Sequence, residues 1–232
     1  MMHLVKYNKN ILIGDLNSLG LKHGTDKASS HHDYLNKYER YLPFNRSDKI
    51  RILEVGVCYG GSVKTWAEYY PNSEVIGIDI APHCKNYEKD NIKIEIGSQN
   101  DANFLEDIRK KYGYFDMILD DATHQSPDQI FTFKEMFQSV VSHGLYIVED
   151  ASTSYWSEFQ GGIGRPDTCM EYFKSLVDEV NFHGVLAKPP FYHHRRDDRI
   201  LIDQEMADGK NYMGLQIESV NFLNSIIIVV KR

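Results

Sequence analysis

From position 51 onward, short aliphatic runs alternate with segments whose apolar positions recur every three or four residues. The runs 52–55, 75–78, 92–96, 115–119 and 145–148 are rich in Ile, Leu and Val. Four or five residues is strand length, and near-continuous apolarity predicts strands covered on both faces. Between them, helices are predicted over 102–111, with Phe104, Leu105 and Ile108 on one face, over 127–141, with Ile130, Phe133, Met136, Phe137 and Val140 at helical spacing, and over 168–180. Gly144 is expected to break the second of these from the strand after it. The segments 216–223 and 225–230, separated only by Asn224, predict a terminal hairpin. The first ~45 residues read as a helical extension, with Tyr34, Tyr38 and Tyr41 on one face at a spacing more typical of core. Alternating β and α predicts an α/β fold, a Rossmann-like doubly wound, mostly parallel seven-stranded sheet closed by an antiparallel C-terminal hairpin strand. One domain is expected over 1–232, an N-terminal extension or lid at 1–48 preceding the core at 49–232.

Composition narrows the class. A formal net charge of −7 over 232 residues gives no general attraction for nucleic acid or an anionic membrane. Cys58, Cys84 and Cys169 are widely spaced with no CxxC pair, so they read as reduced thiols rather than a disulfide framework or zinc site. The N-terminus shows no continuous apolar stretch with a cleavage site, and no run approaches the ~20 apolar residues of a membrane span. These features predict a cytoplasmic protein.

Candidate chemistry begins at 51–79, which reads as strand, glycine turn, helix and strand ending on a carboxylate. Gly56, Gly60 and Gly61 would let a ligand lie against backbone at a helix N-terminus, and Asp79 would accept hydrogen bonds from both hydroxyls of a ribose. The spacing ExGxxxGG departs from the GxGxxG of dinucleotide enzymes and fits S-adenosylmethionine (SAM) better than NAD. Two later strands end in DDATH, 120–124, and in Glu149-Asp150. Ligands of doubly wound sheets sit beyond the strands' carboxyl ends, so four carboxylates and an imidazole converge on one rim. Such crowding requires protonation or a cation, and a hard ion such as Mg²⁺ completing its octahedron with water or substrate oxygens resolves it most simply.

The blocks GTDK (24–27) with HxYxxxY (His32, Tyr34, Tyr38), LEVGVCYGGSVKTW, GIDI, DDATH, LYIVEDASTSYW and SVNFLNSIIIVVK follow one another along nearly the whole chain. In this series the sequence resembles the class I SAM-dependent O-methyltransferases of macrolide sugars, the mycinamicin and tylosin tailoring enzymes, and the wider cephalosporin hydroxylase-like group. The resemblance implies a metal held by Asp121, Glu149 and Asp150 with His124 as base. It implies SAM contacts from Thr25 and Lys27, from Glu54, Gly56 and Gly60 around the methionine part, from Asp79 at the ribose, from Gln99 at the adenine and from Asp120 near the amino-acid moiety. The macrolide enzymes carry a long additional N-terminal region, and their acceptor loops find no match here, so reaction type carries over further than substrate.

For the acceptor, Tyr155 and Trp156 follow the metal pair and could stack on a sugar. His193 and Arg195 lie in FYHHRRDDR, whose composition suits phosphate or carboxylate. A small-molecule sugar, glycoside or sugar nucleotide is the expected partner, with no nucleic acid or membrane, and a homo-oligomer is left open. Two other readings compete: an iron-dependent oxygenase, needing two histidines and a carboxylate, and a SAM-binding scaffold without turnover.

Overall fold

The computed structural model describes residues 15–181 and 213–232. His193 and Arg195 lie outside them. The chain runs α1 (Asp15–His23), α2 (Leu35–Tyr38), β1 (Arg51–Val55), α3 (Gly61–Tyr69), β2 (Glu74–Asp79), β3 (Ile92–Ile96), α4 (Ala102–Tyr112), β4 (Phe115–Asp120), α5 (Ser126–Met136), β5 (Val140–Val148), α6 (Cys169–Val180), β6 (Ile217–Leu223) and β7 (Ile226–Lys231). The seven strands form one sheet in the order β3-β2-β1-β4-β5-β7-β6. Strands β3 to β5 pair in parallel, whereas β7 is antiparallel to both its neighbours. The order reverses between β1 and β4, so the crevice at their carboxyl ends is where such a sheet holds ligands.

Successive strand residues point to opposite faces, and the core divides accordingly. Ile52, Met117, Leu119, Ile147 and Ile228 pack beneath α1, α2 and α3 with Leu16, Tyr38, Val63 and Trp66. Leu53, Val55, Ile118, Tyr146, Val148 and Val229 face α4, α5 and α6 with Leu105, Ile108, Phe133, Phe137 and Phe173. This explains the aliphatic runs of the central strands, whose apolar positions are buried on one side or the other, while the edge strand β3 buries Ile92 and Ile94 and exposes Lys93 and Ile96.

The expected strands and helices are present, with corrections at the start of β5 and in the N-terminal extension. The helix expected over 127–141 ends at Met136, and a 3₁₀ turn, Phe137–Ser139, leads into β5. Val140 keeps a helical spacing but pairs in the strand opposite Phe115. Gly144 does not break the element. It lies inside β5 where the register with β4 shifts, and a Cβ there would come within 2.8 Å of the Asp116 carbonyl oxygen. The hairpin turn is Asn224-Ser225, with Ser225 at φ 64°. In the extension, α1 and the single turn α2 are joined by hydrogen-bonded turns rather than by continuous helix. Tyr34 and Tyr38 are buried there, but Tyr41 is 37 % exposed.

Candidate active site

The turn after β1 is fixed by backbone and by Asp79. Gly56 adopts φ 96°, and a Cβ on it would lie 2.2 Å from the Asp121 carbonyl oxygen. Glycine is required there because the DDATH loop crosses against it. Asp79 Oδ2 accepts from the Val57 and Cys58 amides at 2.9 and 3.0 Å, and Oδ1 accepts from Ala81 at 2.8 Å. Burial alone would raise its carboxyl, but the amides of Ala81, Cys58 and Val57 outweigh it and hold Asp79 below the usual range.

A cavity of about 370 Å³ opens over this turn, lined by Gly56, Cys58, Asp79, Gln99, Asp121 and Thr123 among others. A second, of about 270 Å³, lies toward the N-terminal segment and is lined by Thr25, Lys27, Glu54, Gly56, Cys58, Ser62 and Asp121. Gly56, Cys58 and Asp121 belong to both. Gly60, at φ 72°, caps α3 instead of lining either, and its missing Cβ admits the Tyr87 ring. Asp120 also lines neither cavity. It is buried, where Tyr146 Oη donates to Oδ2 at 3.3 Å and Gln99 Nε2 donates to Oδ1 at 3.4 Å. Burial, reinforced by the charge of Asp121, pushes the Asp120 carboxyl up to about 8. Gln99 also donates to Thr132 Oγ1 at 2.9 Å and accepts from the Thr123 amide at 3.1 Å, so it braces the DDATH loop from below.

Glu54 is fully buried and neither carboxylate oxygen accepts a hydrogen bond. Lys27 Nζ stands 3.7 Å away. Burial raises the Glu54 carboxyl to about 7 even though the Lys27 charge opposes the shift. A buried carboxylate that accepts no hydrogen bond is costly even beside a cation, and a donor entering the cavity would relieve that cost.

The rim brings together Asp121, His124, Glu149 and Asp150 from the ends of β4 and β5. Asp121, His124 and Asp150 present ligand atoms all within 4.8 Å of one another. Glu149 lies deeper, accepting from Tyr38 Oη on Oε1 at 2.6 Å and from Lys27 Nζ on Oε2 at 2.9 Å. Lys27 also donates to Asp121 Oδ2. Burial and the neighbouring Asp121 charge push Glu149 well above the carboxylate range, with Lys27 opposing. Burial would lower the Lys27 ammonium, but the charges of Asp121, Glu149 and Glu54 outweigh it and hold its pKa well above the usual value. Lys27, expected at the cofactor, is therefore also the counter-charge of the rim.

His124 and Asp150 both sit in the left-handed region, at φ 57° and 51°. Such non-glycine conformations persist only where the surroundings impose them. Thr153 ties the two together: its Oγ1 lies 2.8 Å from the carbonyl oxygens of both His124 and Asp150, sharing one proton between them, and its amide donates to the Asp150 carbonyl at 2.9 Å. His124 Nε2 is 3.6 Å from Asp150 Oδ2, and its Nδ1 is buried without a partner. The Phe159 ring lies 6.4 Å from the imidazole and 6.0 Å from the Trp156 ring. Tyr155 and Trp156, proposed for the acceptor, are 43 % and 53 % exposed. Sequence reading passed over Thr153 and Phe159; a threonine three residues past a strand-end carboxylate and an aromatic near the exposed Trp156 were the available signals.

Comparison with known proteins places the chain in a family. Residues 48–176 match the family described as rhamnosyl O-methyltransferase/CmcI. The mycinamicin VI 2''-O-methyltransferase of Micromonospora griseorubida is 32 % identical, over 75 % of this chain and 46 % of the relative. A tetracenomycin rhamnosyl 3'-O-methyltransferase of Streptomyces olivaceus is 32 % identical, over 76 % of this chain and 48 % of the relative. The chain thus spans about half the length of these curated relatives. The structure of MycE methyltransferase from the mycinamycin pathway, in complex with Mg and SAH, superposes with a TM-score of 0.80 at 27 % identity, covering 94 % of this chain and 54 % of that one. On these matches, the chain belongs to the rhamnosyl O-methyltransferase/CmcI family.

Proposed function

We propose that the protein is a SAM- and Mg²⁺-dependent O-methyltransferase acting on a sugar hydroxyl of a glycosylated natural product. The observation that carries the reading is the position of Asp121, which lines both cavities and belongs to the carboxylate–imidazole cluster. A methyl donor in the cleft and an acceptor at the rim would meet there. The named activities of the relatives, and a MycE complex containing Mg, SAH and mycinamycin VI, support the same chemistry.

The residues fit both groups. The Glu54 carboxylate, without a hydrogen-bond donor and with only the Lys27 charge 3.7 Å away, would accept the ammonium of the methionine part. Thr25 and Lys27 line the same cavity, while Asp79 and Gln99 line the larger cavity where ribose and adenine would lie. SAM supplies a methyl already activated on a sulfonium. An oxygen-rich donor set is what a hard divalent ion requires, and Asp121, Glu149 and Asp150 would hold it. Such an ion lowers the pKa of a hydroxyl bound to it and fixes its direction. His124 accepts the hydroxyl proton: its Nδ1 makes no hydrogen bond and its Nε2 lies 3.6 Å from Asp150 Oδ2, at the rim where the hydroxyl would sit. Asp150 and Thr153 keep that ring at the rim, and Trp156 and Phe159 offer apolar faces beside it.

An iron oxygenase would need a second histidine, and the metal-competent cluster contains only His124 among the described residues. A scaffold would gain nothing from burying Glu54 and Glu149 beside Lys27. The test is methyl transfer from labelled SAM to a panel of rhamnosides and other glycosides. Label should reach the sugar with Mg²⁺ and not in EDTA; transfer indifferent to EDTA would remove the metal from the reading.

A further inference from the structure

The carboxylates at the rim do not hold themselves in place. All three expected ligands receive a donor from one short stretch of the N-terminal segment, 27–38, about a hundred residues away in sequence. Lys27 reaches Asp121 and Glu149, Tyr38 Oη donates to Glu149 Oε1 at 2.6 Å, and Tyr34 Oη donates to Asp150 Oδ1 at 2.5 Å. The lysine supplies charge. The two phenols supply none, so neutralising the rim does not explain them.

Their geometry suggests another task. Tyr34 and Tyr38 are four residues apart and therefore on one face of a helical turn. That turn, α2, is far too short to be stable by itself. It is held by the amides of Tyr34 and Leu35, which donate to the Lys27 carbonyl at 2.8 and 3.1 Å, and by the buried Leu35 and Tyr38 side chains. The Tyr38 ring packs 6.1 Å from Trp66 and 6.4 Å from Tyr34, which fixes where both hydroxyls point. With Tyr34 on Oδ1, Asp150 turns its other oxygen, Oδ2, toward His124 at 3.6 Å. A carboxylate anchored through one oxygen offers the other in a defined direction, the role that outer hydrogen-bond partners play for metal ligands generally. At Glu149, Tyr38 holds Oε1 while Oε2 faces Lys27, the cation an incoming metal ion would displace.

We propose that Tyr34 and Tyr38 are positioning residues for the cation site, aiming Asp150 and Glu149 through their hydroxyls. This rests on the metal reading above and adds that the N-terminal segment completes the site from across the chain. The motif HxYxxxY then records hydroxyl donors as well as core packing.

The experiment is Mn²⁺ titration of the full chain, reading free Mn²⁺ by electron paramagnetic resonance, on the parent, Tyr34→Phe and Tyr38→Phe. Phenylalanine keeps the packed ring and deletes only the donor. Each variant should bind Mn²⁺ about 10–100-fold more weakly, the usual cost of losing an outer partner, while S-adenosylhomocysteine (SAH) affinity and the metal-free melting temperature stay near the parent's. Mn²⁺ binding within about twofold of the parent in both variants overturns the inference. So does a loss of Mn²⁺ affinity that merely follows equal losses of SAH affinity and melting temperature, since that marks a structural role. If Tyr38→Phe fails to fold, Tyr34→Phe decides alone. A parent that binds no Mn²⁺ refutes the metal site itself, and that failure appears before any variant is made.

Discussion

The two halves of the cleft are held by different kinds of bond. Over the larger cavity the fixing is made by backbone: Asp79 is pinned by the Ala81 amide in its own turn and by the Val57 and Cys58 amides in the turn after β1, and Gly56 is seated by contact with the Asp121 carbonyl. At the rim the fixing is remote and made by side chains. Asp121, Glu149 and Asp150 are held by Lys27, Tyr34 and Tyr38, across separations of 94 to 122 residues. A backbone-built site tolerates substitution of single side chains; a side-chain-built site concentrates its dependence in a few groups. The rim should therefore give the larger mutational effects.

The largest effect is expected at His124. Replacing it with alanine should cut turnover by ~10² to 10⁴ while sparing SAH and Mn²⁺ affinity, because a general base acts in the transition state rather than in ground-state binding. The residual rate should climb with pH as hydroxide substitutes for the imidazole. Loss of Mn²⁺ by the variant would instead make His124 a ligand, as its place in the 4.8 Å cluster allows. Next come the carboxylates. Mg²⁺ should raise the parent's melting temperature, since a ligand that binds only the folded chain stabilises it, and Asp121→Asn or Glu149→Gln should abolish that rise. An identical Mg²⁺ shift in either variant would separate it from the ion.

On the backbone-built side the expected losses are smaller. Asp79→Ala should weaken SAH binding by ~1 to 3 kcal/mol, the scale of a lost charge-assisted hydrogen bond. Part of any loss will come from the released amides of Val57, Cys58 and Ala81, so melting curves must accompany the calorimetry.

How much of this was legible differs between the halves for the same physical reason. Asp79 could be nominated from spacing because a strand end fixes where it goes. Gly56 lines both cavities, and its missing side chain also accommodates the protein's own backbone at Asp121, which spacing did not show. At the rim the acidic residues were visible as strand ends, yet their partners were not. Tyr34 and Tyr38 have the helical spacing of core residues, and they are core; nothing in the spacing shows that their hydroxyls reach Asp150 and Glu149. Val140 shows the same ambiguity, apolar at helical spacing and still part of β5.

The smallest effect concerns Glu54, faced in its pocket by Lys27 and the charge of Asp121. Burial lifts its carboxyl from 4.5 to about 7, so the folded chain holds a proton that the unfolded chain has released. Its contribution to stability is then complete below about pH 4.5 and is lost as pH rises through 7. An ammonium from the ligand needs the ionised form, so SAH affinity should fall below pH 7, by up to about tenfold per unit. Glu54→Gln should flatten both profiles. An unchanged pH profile of binding would leave Glu54 without a role toward the cofactor.

Calorimetric titration of the parent with SAH, in Mg²⁺ and again in EDTA, tests the division of the cleft most directly. SAH should bind in both buffers with closely similar affinity, and NAD in neither, because the cofactor half is built by backbone and needs no ion. Absence of SAH binding, preference for NAD, or SAH binding that vanishes in EDTA would contradict the account.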